Sequence, residues 1–260
     1  MGKFYLLPIA IFIWFPVTVI VTYVMAVLRK DVNPIFPYIS DTGTFSPESC
    51  IFGQMLNTGA ILIVILVYVR YRHIRFLCEK HSLNAKIRLR NKISTWIGVV
   101  SCIGISLVGN FQETNILIVH LIGAIIAFGF GTIWQCLQTW ISFKVYPYAG
   151  KKIVNRARII SSIICVCCCI ATFACGVISI LEFKGKDITK WSKKDEGYYW
   201  HIASTINEWI MSISFIAFMC SFTLEFRYID FHEPEMIIWE HITVETSESS
   251  NFNYNTAGNE

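Results

Sequence analysis

The chain has 260 residues, 54% of them hydrophobic and only 15% charged, with a formal net charge of +4 and a positive mean hydropathy. An ordinary soluble domain carries about 25% charged residues, so this balance excludes the soluble globular class and points to lipid. Backbone polar groups in hydrocarbon must bond within their own segment or in a closed barrel, and apolar runs without strand-like alternation leave only helices.

Six windows approach the ~20 apolar residues that carry a helix across a ~30 Å core. In chain order they are about 6–28, 51–69, 93–108, 116–143, 159–181 and 199–224. The first follows a lone Lys3. It is too long for a secretory h-region and lacks a small-x-small cleavage site before Arg29, so it is expected to be retained. Residues 1–226 therefore form one all-α, six-helix transmembrane bundle, and 227–260 form an acidic, hydroxyl-rich tail expected to be disordered. Lysine and arginine set the orientation. The N-terminus, segments 70–92 and 144–158 and the tail hold fifteen of the 22, so both termini are expected to be cytoplasmic.

Between the first two runs lies Pro37-Tyr-Ile-Ser-Asp-Thr-Gly-Thr44. Pro37 should hold Phe36 extended, and Asp41-Thr-Gly43 has turn chemistry, with glycine free to take a positive φ. This loop is expected to cap the exoplasmic helix ends. Segment 70–92 is a basic cytoplasmic loop without Gly or Pro, interleaved with apolar residues. It suits positive-inside anchoring or contact with an anionic leaflet. Nucleic acid is not an expected partner. Small residues recur along helix four (Gly123, Ala127, Gly131) and helix five (Ser161, Cys165, Cys168, Thr172), the pattern of close helix packing in lipid. The ten cysteines lie mostly in helices and spell no zinc spacing; their reading is packing. In the tail, Tyr228-Ile-Asp-Phe231 and Glu233 with Ile237 and Ile238 match tyrosine-based and acidic di-leucine sorting patterns, which would make coat adaptors partners.

A charge inside the membrane requires a partner, and Glu208 is the clear case. It lies about 13 Å below the exoplasmic end of the last helix at 1.5 Å per residue, on one face with His201, Thr205 and Ser212. Because successive helices reverse direction, Asn57, Asn110, Gln112 and His120 reach the same depth, with Asp41 and Glu48 in the loop above. This cluster has three readings: a packing network, a site for a lipid headgroup or ion, or acid–base and metal chemistry. No nucleophile and no complete ligand set accompany it, so no catalytic residue, metal or cofactor is assigned.

PYISDTGTFSPESCIFGQMLN, GNFQ, VHLIGAIIAFGFGT and INEW, in this order, resemble the DRAM family, the DNA-damage-regulated autophagy modulators grouped with the transmembrane-150 and Sfk-type proteins. Pro37, Tyr38, Ser40, Asp41, Gly43, Pro47 and Glu48 carry the match in the loop. Asn110, Phe111, Gln112, His120, Gly123, Glu208 and Trp209 carry it in or beside helices. The resemblance implies six membrane helices, an endolysosomal address with the plasma membrane as alternative, and positive regulation of autophagy without an established catalytic site. The expected function is non-enzymatic modulation of autophagy through a lumenal polar cluster. A lipid-handling protein, either a regulator of lipid distribution or a lipid-modifying enzyme, is the alternative, and an ion-conducting or mechanically gated protein is third.

Overall fold

The computed structural model describes residues 3–185 and 187–230. Six helices long and apolar enough to cross a membrane account for most of them: α1 (Leu6–Leu28), α2 (Glu48–Lys80), α3 (Ala85–Asn110), α4 (Glu113–Val145), α5 (Lys152–Glu182) and α6 (Tyr198–Phe226). No strand occurs among the described residues, and the fold is a six-span membrane bundle. The sorting residues Phe231, Glu233, Ile237 and Ile238 lie outside the described residues; Tyr228 lies within them and is exposed.

The helices pack in chain order, each on the next, and α6 closes the ring on α1. Small residues set the closest approaches. A methyl group added at Gly53 would lie 2.6 Å from the Gly109 carbonyl, bringing α2 and α3 into backbone contact. One added at Gly104 would lie 2.3 Å from the Ala127 nitrogen, so the helix-four stripe seats on α3. The helix-five stripe lies against α6: Ser161 Oγ is 2.7 Å from Ser214 Oγ, and Ser204 donates to the Thr172 carbonyl at 2.7 Å. Cys165 and Cys168 pack with Met211.

Two helices depart from α geometry. Residues Ile125–Phe130 of α4 form a π-helical segment, whose displaced register turns the Ala127 carbonyl to Ser101; that hydroxyl donates to it at 2.9 Å. Such segments are often found at functional sites. In α6 the helix runs Tyr198–Cys220 and resumes as Thr223–Phe226.

Segment 70–92 is not a loop. α2 continues to Lys80 and α3 begins at Ala85, so the connection is a four-residue turn in which Asn84 caps α3 by accepting from the Lys86 amide at 2.8 Å. Ile74, Leu77, Cys78 and Ile87 form a buried core with Ile141 and Val145, leaving Arg72, Arg75, Lys80, Arg88 and Arg90 on the exposed side. Ile74, Leu77, Cys78 and Ile87 thus pack between helices, while Phe76 and Leu89 stay exposed beside the basic residues.

Candidate functional site

Loop 29–47 and the ends of α2, α3, α4, α5 and α6 make one face of the bundle, here the cap face. Three consecutive loop residues are tied to α6. The Trp209 indole donates to the Pro37 carbonyl at 2.9 Å, the Tyr38 hydroxyl donates to Ser204 at 2.7 Å, and the Ile39 amide donates to Glu208 Oε2 at 2.9 Å. Thr42 adds a 2.9 Å contact to Thr22 of α1, and Asn33 donates to the Trp191 carbonyl at 2.8 Å. The loop is therefore a cap fastened to two helices and to the α5–α6 connection. Its local geometry differs from expectation in two places. Phe36 is left-handed, with φ 44°, and its exposed side chain lets the backbone turn there. Gly43 sits in a 3-10 turn without positive φ. Glycine is needed there because a methyl group would fall 2.2 Å from the Phe52 ring.

Asp41 is 1% exposed and Glu208 6%. Asp41 Oδ2 accepts from the Tyr38 amide at 3.0 Å, one residue before the amide that Glu208 holds, so the two carboxyls grip adjacent peptide groups. Glu113, in the first turn of α4, is the third acid of the cluster, and its charge bears on both others. Asp41 Oδ1 and Glu113 Oε1 are buried and meet no amide or hydroxyl donor; the two carboxyls face each other. Burial, then the neighbouring Glu113 carboxyl and its hydrogen bond, then Glu208, push the Asp41 carboxyl well above its usual range against the opposing Tyr38 amide. Burial likewise raises the Tyr38 phenol.

The other candidates from the sequence divide by position. Glu48 pairs with Arg29, whose Nε is 3.0 Å away. Asn57, Asn110 and Ser106 form a separate clasp between α2 and α3, with contacts of 2.7–3.2 Å. Gln112 accepts from Asn115 at 3.2 Å. His120 donates through Nδ1 to the Phe111 carbonyl at 2.7 Å, pinning the α3–α4 turn. His201 stacks on Trp191 at 4.3 Å and meets Tyr38 edge-on at 5.1 Å. No group of three or more metal-ligating side chains with metal-site geometry occurs among the described residues.

Below the cap lies a cavity of about 160 Å³. Its walls come from α1, α2, α3, α4 and α6, and its cap end is formed by Ile39, Ser40, His120 and Glu208. Trp134 and Met219 line its far end, where Trp134 packs edge-on against Phe218 at 5.9 Å and Phe222 at 6.2 Å.

Beyond that aromatic floor is a second polar layer, at the opposite ends of the helices. Arg70 of α2 and Arg158 of α5 both pair with Glu225 of α6, all three nearly inaccessible. Arg158 Nη1 lies 2.7 Å from Glu225 Oε1. Gln138, Ser142 and Ser221 accept further guanidinium hydrogen bonds at 2.9–3.1 Å. Both guanidinium groups also lie over the Phe222 ring, at 4.8 and 4.4 Å. Sequence reasoning missed this layer: Arg70 and Arg158 read as residues of the connecting segments 70–92 and 144–158. The available signal was the acidic Glu225 beside a predicted helix end, a residue that needs a cation.

The family model described as the Frag1/DRAM/Sfk1/Cwh43P N-terminal domain matches residues 3–229. The chain belongs to this family. It is 38% identical over 226 residues to DNA damage-regulated autophagy modulator protein 2 of Rattus norvegicus, covering 86% of this chain and 84% of that one. It is 34% identical over 223 residues to DNA damage-regulated autophagy modulator protein 1 of Mus musculus, covering 85% and 90%. A Xenopus laevis protein named modulator of macroautophagy TMEM150B-B is 33% identical over 230 residues, 87% of each chain. No solved structure matches. The family match spans the cap, the axial cavity and both polar layers, so all of them belong to the DRAM-like domain.

Proposed function

We propose that this DRAM-like membrane protein modulates autophagy from an endolysosomal membrane, without catalysis of its own, by engaging a lipid headgroup at the cap-face cluster around Glu208. The names of its relatives support the process, and the distribution of Lys and Arg supports a cap face turned towards the lumen. The observation that carries the site is the 2.9 Å hydrogen bond from the Ile39 amide to a buried carboxyl that also lines the axial cavity. One side chain thereby couples the position of the cap to whatever occupies the space beneath it. The exposed basic side chains at the opposite helix ends would meet cytosolic or anionic lipid partners, and adaptors reading the tail would supply the address.

Glu208→Gln tests this directly. The amide oxygen can still accept from Ile39 while the charge is gone, so localisation should persist and autophagic flux, followed by turnover of a lipidated autophagosome marker, should fall severalfold. Normal flux from correctly localised variant protein would sink the reading. The cavity favours one alternative, handling of lipid rather than sensing of it; movement of labelled lipid between leaflets of reconstituted vesicles would establish that instead.

A further inference from the structure

The basic helix ends carry cations that the fold leaves without a counter-charge. Segments 70–92 and 144–158 contain one acid, Glu79, and Arg75 holds it at 2.8 Å. Glu225 of α6 is enclosed between Arg70 and Arg158. Arg90 of α3 and Lys144 of α4 have no acidic partner among the described residues. Both stand over the Trp140 ring, with the guanidinium carbon 4.0 Å and the ammonium nitrogen 5.7 Å from its centroid. Stacking on an aromatic face keeps the charge in place and leaves the in-plane N–H donors of Arg90 open to a phosphate.

Arg90 also stands at the mouth of a groove of about 520 Å³ between α4 and α5. From Trp140 the groove follows α4 to Gly129, about 16 Å at 1.5 Å per residue. That length is one leaflet's share of a ~30 Å hydrocarbon core. Ile133 of α4 and Val166 and Ile170 of α5 line it and are exposed, so in a membrane the groove faces lipid. The Thr132 hydroxyl on its wall donates to the Phe128 carbonyl at 2.8 Å, which leaves the walls apolar. At the deep end Gly129 belongs to the π-helical segment, and a methyl group there would meet nothing within 4 Å. The missing side chain deepens the groove.

Charge and shape coincide here. Two uncompensated cations sit beside a tryptophan of the kind that marks the membrane interface, and an apolar slot one leaflet long leads away from them. A zwitterionic headgroup would bring its own cation to that mouth, and a free phosphate would leave the slot empty. We propose that this groove binds one anionic glycerophospholipid, with its phosphate at Arg90 and Lys144 and one acyl chain laid along α4 towards Gly129. The site rests on the part of the functional reading that gives anionic lipid to the basic helix ends, and it is independent of Glu208.

The test uses the full chain in phosphatidylcholine nanodiscs containing a minority of phosphatidylglycerol with the same acyl chains, and native mass spectrometry to count retained lipids. One phosphatidylglycerol should stay with each chain, enriched about tenfold over its share of the disc. Arg90→Gln combined with Lys144→Gln should bring retention down to that share. Gly129→Leu fills the deep end and should lower retention severalfold, at an unchanged or higher thermal midpoint because leucine is the better helix former. Glu208→Gln should leave retention as it was. Equal retention of phosphatidylcholine would overturn the proposal. So would retention indifferent to Gly129→Leu, which marks a surface headgroup contact or an annular layer. A dimer without bound lipid would give the groove to a second copy of the chain, and loss of retention in Glu208→Gln would move the lipid to the cap face; either outcome removes this site. Failure here leaves the flux experiment on Glu208→Gln standing, and normal flux in that experiment leaves this groove standing.

Discussion

The two ends of the bundle each bury a glutamate of α6, and they treat it oppositely. Glu225 lies between two arginines, whose side-chain nitrogens all have an acceptor except Arg158 Nη2. Glu208 lies seventeen residues earlier, near two more acids whose buried oxygens meet no amide or hydroxyl donor. Placing an ion in low dielectric costs several kcal/mol unless a partner offsets it, so the Glu225 layer has the form of a closed joint between α2, α5 and α6. The Glu208 layer is unsaturated and sits against empty space. In this bundle the acid with its cations joins helices, and the acid without them fastens the cap and lines a cavity.

The largest expected effect breaks the joint. Glu225→Gln leaves two guanidinium groups buried without a counter-charge, and breaking a buried pair in this way costs about 3–5 kcal/mol. The variant should lose most of its thermal stability in detergent and reach the membrane poorly. Glu208→Gln should leave the melting curve nearly where it was, because its cap hydrogen bond survives. Equal losses from the two substitutions would erase the distinction between joint and site.

The same contrast explains what could be read in advance. Six spans, a capping loop and a buried Glu208 were legible because a carboxylate amid apolar residues is conspicuous, and hydrocarbon permits few backbone solutions. The joint was not. Arg70 and Arg158 sit where apolar runs give way to basic ones, and a guanidinium at a helix end looks like a positive-inside signal whether it points to water or inward. Helix α2 outruns its apolar window by eleven residues, Arg70–Lys80, because Ile74, Leu77 and Cys78 continue its buried face. Glu113 escaped notice in a short polar connection. Only the fold brings it to Asp41.

A mid-sized effect would sharpen the cap side. Asp41 has its carboxyl value raised by burial and by Glu113 and Glu208, with Tyr38 facing it from its own loop. A carboxyl whose folded value lies above its unfolded value of about 3.9 stabilises the fold fully below that unfolded value. The contribution is lost as pH rises through the folded value. The cap should therefore be tightest in acid and loosen towards neutrality. In detergent, the thermal midpoint of the wild type should decline as pH rises over this interval, and Asp41→Asn should flatten the decline. A slope unchanged by the substitution would show that Asp41 is not the group responsible.

The smallest expected effect decides which side of the comparison His201 belongs to. It shares the Glu208 face of α6, as the sequence suggested, but the structure stacks its ring on Trp191 with planes 10° apart and sets the Tyr38 ring against its edge. Its Nδ1 is buried without a partner, so the ring acts here as an aromatic plate carrying one unused polar atom. Removing a buried, unsatisfied polar atom while keeping the shape is near neutral or mildly stabilising, and the stacked contact is retained. His201→Phe should thus move stability by less than about 1 kcal/mol, seen as a small rise in thermal midpoint, with autophagic flux preserved. A severalfold loss of flux at unchanged stability would move His201 from the packing of the cap into the working cluster with Glu208.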